Sequence, residues 1–378
     1  MLLLVGSGLL LRAMLKVQST DPGFRSDGVL TLRTRLPMKR YESVNLRHRF
    51  FRQVVDGVQT LPGVTTAAYT TGLPMVDRGR IWAINVAGYE QLPPEQRLAS
   101  LRFITPGFFE TLGIPVRGGR DVADSDTQAS QPVAIVSESF ARRFWPGQNA
   151  LGRQFRVRGI DWTIVGVVGD IRVRGLEQPS EPQIYMSEQQ MPDRGLPAYV
   201  PRDLVIRSDR PLQALLPAIR KIIADADPQQ PISDMRPLAD IVVGETAPRR
   251  VQVRVLSAFA AIAFLLAGVG LHGLLAFNVS QSAREIGVRI ALGAERSRIL
   301  SMVMHRGMRL AIIGVLVGGV FALAAGRWLE ALLAGVSPTD LASFGGAVAL
   351  ALAVTALGSL LPALKATRVD PLQVIRAE

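Results

Sequence analysis

Three long runs of uncharged, mostly apolar residues lie in the last third of the chain. They cover residues 255–279, 310–326 and 344–364, and none contains Asp, Glu, Lys or Arg. A helix of about 20 residues crosses a hydrocarbon layer about 30 Å thick, and the middle run is the shortest of the three. Soluble cores rarely need three such runs so close together. The pattern therefore predicts three transmembrane helices, with buried core helices as the alternative.

The N-terminus carries a shorter apolar run over residues 1–11, which ends at Arg12. This run is too short to cross a membrane. A secretory signal peptide begins with positive residues and ends with small residues before its cleavage site, and the run has neither feature. We interpret residues 1–15 as a truncated first transmembrane helix. A short membrane anchor and an unusual signal peptide are the alternatives.

The stretch between these apolar regions, residues 16–254, has the pattern of a folded α+β domain outside the membrane. The spacing of Leu46, Phe50 and Val54 predicts an amphipathic helix. Five prolines between residues 177 and 202 predict an exposed loop. Strands are predicted at 29–36, 82–86, 101–104, 133–136, 162–168 and 204–207, and further helices at 107–112, 138–144 and 212–226.

The amino-acid composition excludes several kinds of catalytic and metal-binding site. The chain has no cysteine, which excludes disulfides, thiolate nucleophiles and cysteine metal sites. Its three histidines are too far apart for a paired metal motif, and no metal or catalytic site is predicted. His272 lies in a predicted span, where a hydrogen bond to a neighbouring helix is the favoured interpretation over a proton relay. Near the predicted helix 138–144 and its preceding turns, Ser137, Glu138, Ser139, Asp124 and Asp126 are interpreted as helix caps and turn residues.

The distribution of positive charge predicts the orientation in the membrane. The chain has 43 Lys and Arg against 31 Asp and Glu, a formal net charge of +12, with a mean hydropathy of +0.24. Residues 280–309 contain six arginines, whereas residues 327–343 contain one. Basic short loops stay in the cytoplasm. Residues 280–309 are thus predicted to be cytoplasmic and the large domain extracytoplasmic, which argues against nucleic acid as a partner.

Three sequence segments resemble one family of transporter subunits. Residues 283–294, "AREIGVRIALGA", resemble the cytoplasmic coupling segment of MacB/FtsX-type ABC transporter permeases. The C-terminal "LPALKATRVDPLQVIRAE" resembles the ending of the same family, and residues 104–155 resemble its MacB-like periplasmic core domain. The stretches "GSGLLLR" and "DPGF" near the N-terminus resemble the second half of duplicated orphan permeases of acidobacteria.

The resemblance implies a membrane protein of the bacterial inner membrane, with an α-helical transmembrane bundle and a large α+β extracytoplasmic domain. It implies residues 16–254 as the MacB-like periplasmic core domain and residues 255–378 as the FtsX-like permease domain. Full family units have four spans, so the truncated first helix is a departure. The chain could be a gene fragment, the product of a mis-assigned start, or the rear half of a duplicated permease.

The same resemblance implies how the chain works. The sequence has no GxxxxGK[ST] motif and so no loop for ATP phosphates. It is therefore not expected to be an enzyme or to bind a cofactor, and ATP would be used by a separate cytoplasmic ABC ATPase. The residues implied to dock on that ATPase are Glu285, Ile286, Gly287, Arg289, Ala291, Leu292 and Gly293.

A face of small residues in the second span predicts close helix packing. Gly314, Gly318, Ala322 and Gly326 recur at intervals of four, which lets helix backbones approach. The partner helix could belong to this chain, to a second permease copy or to a paralogous half. Besides the bilayer and the ATPase, a periplasmic adaptor is a further candidate partner.

The predicted function is a permease that couples ATP hydrolysis to movement of the external domain, for export or mechanotransmission. A regulator that controls an extracytoplasmic partner such as a cell-wall hydrolase, without transport, is the alternative. A membrane-tethered external enzyme is disfavoured because no nucleophile, base and metal set converges in the sequence.

Overall fold

The computed structural model describes residues 2–193, 199–245, 247–282, 285–286, 288–289, 292, 294–328 and 340–366. The chain divides into two compact units. One combines Met1–Ser19 with Ala247–Glu378, and the other is Thr20–Thr246. Domain boundaries at residues 15 and 254 stay a prediction.

The described residues form helices in both units. We call Thr20–Thr246 the external unit, after its predicted position outside the membrane. It contains α2 to α6, and the other unit contains α1 and α7 to α9. Their bounds are α1 Leu2–Gln18, α2 Val44–Gln59, α3 Phe108–Leu112, α4 Glu138–Phe144, α5 Leu212–Ala226, α6 Leu238–Glu245, α7 Ala247–Gln281, α8 Arg296–Trp328 and α9 Leu341–Ala366.

The external unit is built on one mixed β-sheet. Its strands are β1 Val29–Thr34, β2 Val64–Thr70, β3 Arg80–Ala83, β4 Leu98–Ile104, β5 Val116–Gly119, β6 Val133–Ser137, β7 Gln154–Val157, β8 Ile160–Val168, β9 Gln183–Ser187, β10 Asp203–Ser208 and β11 Ile232–Pro237. The order is β11-β1-β10-β2-β4-β9-β6-β8-β5, with β3 beside β4 and β7 beside β8. Strands and helices are thus mixed without a regular βαβ repeat, in agreement with the predicted α+β class.

Strand β9 corrects the prediction of an exposed loop over residues 177–202. All five of its residues are buried, and it pairs in parallel with β4 and antiparallel with β6. The prolines lie outside the strand, so they remove no hydrogen bond from its interior. Pro182 even contributes its carbonyl, which accepts a hydrogen bond from the Ser100 amide at 2.9 Å. Prolines marked the ends of a buried strand rather than a loop.

Helix α2 shows how the core of the external unit forms. Ser43 caps it by accepting a hydrogen bond from the Asn45 amide at 3.2 Å. Of the apolar spacing noted in the sequence, Phe50 and Val54 are buried in the core, whereas Leu46 is 42% exposed; Phe51, which was not in that spacing, is buried as well. The rings of Phe51 and Tyr69 of β2 lie 4.7 Å apart, a distance typical of favourable aromatic packing.

Two arginines are buried in this core and, among the residues that the structure describes, contact no carboxylate within 4 Å. Arg102 of β4 donates to the Asp77 carbonyl at 2.9 Å and to Ser100 Oγ at 3.0 Å. Burial lowers the pKa of Arg102. Arg47 of α2 donates to the carbonyl oxygens of Glu42 and Pro192 at 2.8 and 3.1 Å. Because each guanidinium is satisfied by fixed oxygens, each holds several chain segments in one arrangement.

The other unit contains three helices that are long and apolar enough to cross a membrane. They lie in the ranges Leu238–Gln281, Ser297–Ala324 and Leu341–Leu364. Large apolar side chains such as Leu265, Val269 and Val320 are exposed on them. A helix that is apolar on all sides needs an apolar surrounding, so the exposed surfaces match a lipid environment.

These helices approach closely at small residues. An added Cβ at Gly268 of α7 would lie 3.4 Å from Val354 of α9, and one at Gly307 of α8 would lie 2.4 Å from Ser359 Oγ of α9. His272 Nδ1 lies 3.3 Å from the Gly358 carbonyl oxygen, so this histidine bonds to a neighbouring helix. Of the predicted packing residues, Ala322 is buried in a cluster with Val5.

The other predicted packing residues have different surroundings. Gly314 lines an apolar cavity of about 420 Å³, and a Cβ there would meet no atom within 4 Å. Gly318 is half-buried. Gly326 lies on α8, and its surroundings are outside the described part of the chain. A packing role for Gly318 and Gly326 stays a prediction.

Helix α1 is held to the start of α9 by charge. Arg12 Nη1 lies 2.5 Å from Asp340, which also accepts hydrogen bonds from the amide and hydroxyl of Ser343 at 2.9 and 2.7 Å. The Ser343 hydrogen bonds lower the pKa of Asp340. Asp340 thus caps α9 and pairs with α1 at once.

The pairing of β5 with β8 depends on a glycine. Gly119 has a φ of +75°, and a Cβ there would lie 2.1 Å from the Val165 carbonyl oxygen. We therefore expect Gly119→Ala to lower the free energy of unfolding by about 2 kcal/mol or more. The measurement is thermal or urea unfolding of the full chain, followed by tryptophan fluorescence.

The neighbouring Gly118 provides the matched control. A Cβ there would make only an ordinary contact with Leu151 at 3.7 Å. Gly118→Ala should therefore change the stability by about 0.5 kcal/mol or less. Equal losses in both variants would contradict the requirement for glycine at position 119.

Candidate functional site

The predicted coupling segment is anchored to the helices of its own unit by Ile286. This side chain is only 1% exposed and packs in a cluster with Ile299 and Val303 of α8 and Ala363 of α9. Its amide donates to the Ser282 carbonyl at 2.9 Å. Since Ile286 is buried within its own chain, its role is to fix the segment to α8 and α9.

An ion pair lies on the exposed side of the same segment. Arg289 donates to Glu285 Oε1 at 2.5 Å, four residues earlier, as expected on a helix. Arg289 also donates to the sulfur of Met302 on α8 at 2.8 Å. The pair therefore presents a charge of each sign to solvent while one partner stays attached to α8.

Two apolar side chains of the segment point outward. The Leu292 amide donates to the Val288 carbonyl at 3.0 Å, the spacing of a helical turn, so both side chains share one face. Val288 is 45% exposed and Leu292 is 82% exposed. An outward apolar pair next to an ion pair is typical of a helix that docks into a groove on a partner.

The remaining predicted docking residues, Gly287, Ala291 and Gly293, lie outside the described residues. Helix α8 starts at Arg296 and continues to Trp328 without interruption. It is therefore about 50 Å long and begins directly after the predicted coupling segment.

The external unit has an apolar cavity of about 510 Å³ that the sequence did not reveal. Aromatic and apolar side chains line it, together with Arg158 and Asp193; among them are Trp82, Phe103, Trp162, Met191 and Tyr199. They come from β3, β4, the β7–β8 hairpin and the chain after β9. Only the tertiary fold brings these segments together.

A second cavity of about 390 Å³ is basic. It is lined by Arg35, Arg80 and Arg202, together with apolar residues that include Leu36 and Val200. Arg202 pairs with Asp77. Arg80 and Arg35 form no ion pair within 4 Å among the described residues.

The polar residues singled out in the external domain have structural roles. Ser137 caps α4 by accepting a hydrogen bond from the Phe140 amide at 3.3 Å, and it also accepts one from the Gln183 amide at 3.0 Å. Asp126 pairs with Arg120 at 2.7 Å and accepts from the Ala123 amide at 2.8 Å. Across the part of the chain that the structure describes, no group of three or more His, Asp or Glu could hold a metal ion.

The chain matches known proteins over both of its regions. Residues 13–230 match the sequence profile of the MacB-like periplasmic core domain, and residues 257–371 match that of the FtsX-like permease C-terminal region. The first match alone includes more than half of the chain. The protein therefore belongs to the MacB/FtsX family of ABC transporter permeases, which have an extracytoplasmic domain and membrane-embedded helices.

Relatives are distant in sequence. The ABC transporter permease YknZ of Bacillus subtilis is 23% identical over 285 residues, which cover 75% of this chain and 71% of YknZ. The pyoverdine export ATP-binding/permease protein PvdT of Pseudomonas entomophila is 25% identical over 296 residues, covering 76% of this chain and 45% of PvdT. The chain thus spans less than half the length of that relative.

Solved structures of external domains are similar to part of the chain. The periplasmic region of MacB from Actinobacillus actinomycetemcomitans matches with a TM-score of 0.40 at 14% identity, over 60% of this chain and 95% of that one. The extracellular domain of YknZ matches with a TM-score of 0.36 at 11% identity, over 55% of this chain and 100% of that one.

A histidine and a glutamate form a hydrogen bond close to the wall of the apolar cavity. His48 Nδ1 of α2 lies 2.7 Å from Glu188 Oε1, and Glu188 shortly precedes the cavity residue Met191 in the chain. The hydrogen bond raises the pKa of His48, and burial raises the pKa of Glu188. Both groups thus bind protons more tightly in the folded chain than in the unfolded one.

The sign of the pH dependence follows from these pKa shifts. The contribution of His48 is fully present below its unfolded pKa of about 6.5 and is lost as pH rises through the raised value. We expect amide exchange in α2 to accelerate, beyond the intrinsic rate, as pH rises above about 6.5, because stability falls. His48→Gln should flatten this dependence, as measured by hydrogen–deuterium exchange.

His305→Gln is the matched control, because His305 lies on α8 in the other unit. The measuring range avoids Asp121, whose pKa burial raises to about 6. His305→Gln should keep the wild-type pH dependence. If His48→Gln keeps it too, the assignment of this pH dependence to the His48–Glu188 pair is wrong.

Proposed function

We propose that the chain is the permease subunit of a MacB/FtsX-type ABC transporter that acts with a separate cytoplasmic ATPase. The ATPase binds and hydrolyses ATP, and the permease transmits the resulting movement to the external domain for export or mechanotransmission. The family membership supports this division of work, and the relative YknZ is likewise named a permease. The assembled transporter would contain two permease halves: this chain and either a second copy of it or a paralogous half.

The outward Val288–Leu292 pair is the observation that carries the proposal. Ile286 fixes the segment to α8 and α9, so the opposite face is free to enter a groove of the ATPase. The Glu285–Arg289 pair beside it sets the register of that contact. Movement of the docked segment would then pass through Ile286 into both helices.

The proposed location is the bacterial inner membrane, with several spans and the large domain outside. The three apolar helices support a membrane-spanning arrangement. The six arginines in residues 280–309 support a cytoplasmic position for the coupling segment. Residues 1–15 would form part of the first span, with α1 paired to the start of α9 through Arg12.

Single cysteines can test this orientation, because the chain has none of its own. We expect Leu292→Cys to react with a membrane-impermeant maleimide only after cells are opened. Arg153→Cys, on the exposed surface of the external unit, should react in cells whose inner membrane is intact. Labelling of Leu292→Cys in intact cells would contradict the proposed orientation.

Leu292→Asp tests the docking contact. The side chain is 82% exposed, so the substitution should leave the fold and membrane insertion intact. We expect a P-loop ATPase to co-purify with the wild-type chain from native membranes. Its yield should fall by about tenfold with Leu292→Asp, since a charge would enter an apolar groove.

Leu341→Asp is the matched control, a leucine that is 88% exposed at the start of α9. It should retain the ATPase at the wild-type level. Equal recovery with both variants would contradict docking through Leu292, and the same loss with both would point to general damage rather than to a contact.

Exchanging the two charges separates recognition from helix stability. The double variant Glu285→Arg with Arg289→Glu keeps an ion pair at the same spacing but reverses its direction. If the partner reads these charges, stimulation of ATP hydrolysis should fall although the chain still inserts. Full stimulation by the exchanged pair would mean that the ion pair only supports the helix.

A further inference from the structure

A row of cations and aromatic rings lies beside the apolar cavity of the external unit. The Arg158 guanidinium lies 4.9 Å from the centre of the Trp82 ring, whose own centre is 5.7 Å from that of Tyr199. The Arg80 guanidinium lies 5.9 Å from the centre of the Tyr199 ring. These distances are within the range of cation–π contacts, so the row fixes both cations relative to the rings.

The backbone holds this row in place. Arg80 and Trp82 are two residues apart on β3, so their side chains share the inward face of the strand. Arg158 lies in the tight turn between β7 and β8 with a φ of +52°, followed by Gly159 at +82°. Both residues of a two-residue hairpin loop of this kind have positive φ, so the turn fixes the backbone position from which the Arg158 side chain extends.

The positive charge on the row has no counter-charge in contact. Among the described residues, neither Arg80 nor Arg158 forms an ion pair within 4 Å. Asp193 also lines the cavity, but it accepts a hydrogen bond from the Val44 amide at 2.6 Å, at the start of α2. The positive end of that helix and the nearby Arg47 offset its charge. An anion entering the cavity would therefore meet the guanidinium of Arg158, which has no ion-pair partner among the described residues.

We propose that this cavity binds an amphiphilic anion with an aromatic or alkyl body. The body lies against Trp82, Phe103 and Trp162, and the acidic group pairs with Arg158 at the same cavity. Arg80, which also contacts Tyr199, strengthens the positive potential. The volume of about 510 Å³ is in the range of small-molecule sites, and an apolar lining with one fixed cation selects for this combination of body and charge.

The test uses the full chain in nanodiscs and 1-naphthyl phosphate, a soluble aromatic anion, in a calorimetric titration with empty nanodiscs as the blank. Inorganic phosphate and 1-naphthalenemethanol supply the charge alone and the body alone. We expect the naphthyl phosphate to bind at least about tenfold more tightly than either. Binding is measured without ATP or an ATPase, so its outcome is independent of the docking proposal.

Arg158→Gly removes the guanidinium and also relieves the left-handed backbone, so a folding defect would not explain a loss. It should weaken 1-naphthyl phosphate by about tenfold and leave 1-naphthalenemethanol unchanged. Trp82→Ala should weaken both ligands. Arg153→Gln, an exposed arginine near the same hairpin, should remain within about twofold of wild type.

Several outcomes would overturn the proposal. Equal binding of inorganic phosphate and naphthyl phosphate would show a plain anion site, and equal binding of naphthalenemethanol would show that the cation contributes nothing. The same affinity in Arg158→Gly and Arg153→Gln would exclude Arg158 as the recognising group.

Discussion

The external unit depends on the hydrogen bonding of β9 to two neighbours. This five-residue strand pairs with β4 on one side and β6 on the other, so it joins the part of the sheet from β11 to β4 to the part from β6 to β5. Buried polar groups reinforce the junction. Tyr185 Oη donates to Gln183 Oε1 at 2.6 Å, and the Gln183 amide donates to Ser137 Oγ. Because unsatisfied polar groups are costly in a core, these contacts favour one strand register.

The walls of the apolar cavity extend from this junction. Strand β4 supplies Phe103 and β9 supplies Met186, while the chain after β9 supplies Met191. Arg47 and His48 of α2 tie that following chain to the helix through Pro192 and Glu188. The cavity is therefore held by strand pairing on one side and by buried side-chain contacts on the other, which gives it a defined shape before any ligand binds.

In the other unit, small residues and one isoleucine hold the helices together. Close approaches at Gly268 and Gly307 bring α7 and α8 against α9, and Ile286 packs the predicted coupling segment against α8 and α9. Van der Waals packing is the main attraction between helices in lipid, where apolar burial adds little. The predicted coupling segment is thus held by packing against two continuous helices.

The sequence by itself determined the local elements and the class of protein. Charge-free length predicted the apolar helices, the 3.6-residue spacing predicted α2, and α4 and α5 were predicted at their observed bounds, because these signals depend on neighbouring residues alone. The motif around Glu285 indicated the family. Tertiary structure decided the rest. It buried Ile286 and exposed Leu292 within one motif, turned a proline-flanked stretch into the buried β9, and brought Trp82, Arg158 and Tyr199 together. Those outcomes depend on contacts between distant segments, which no local pattern encodes.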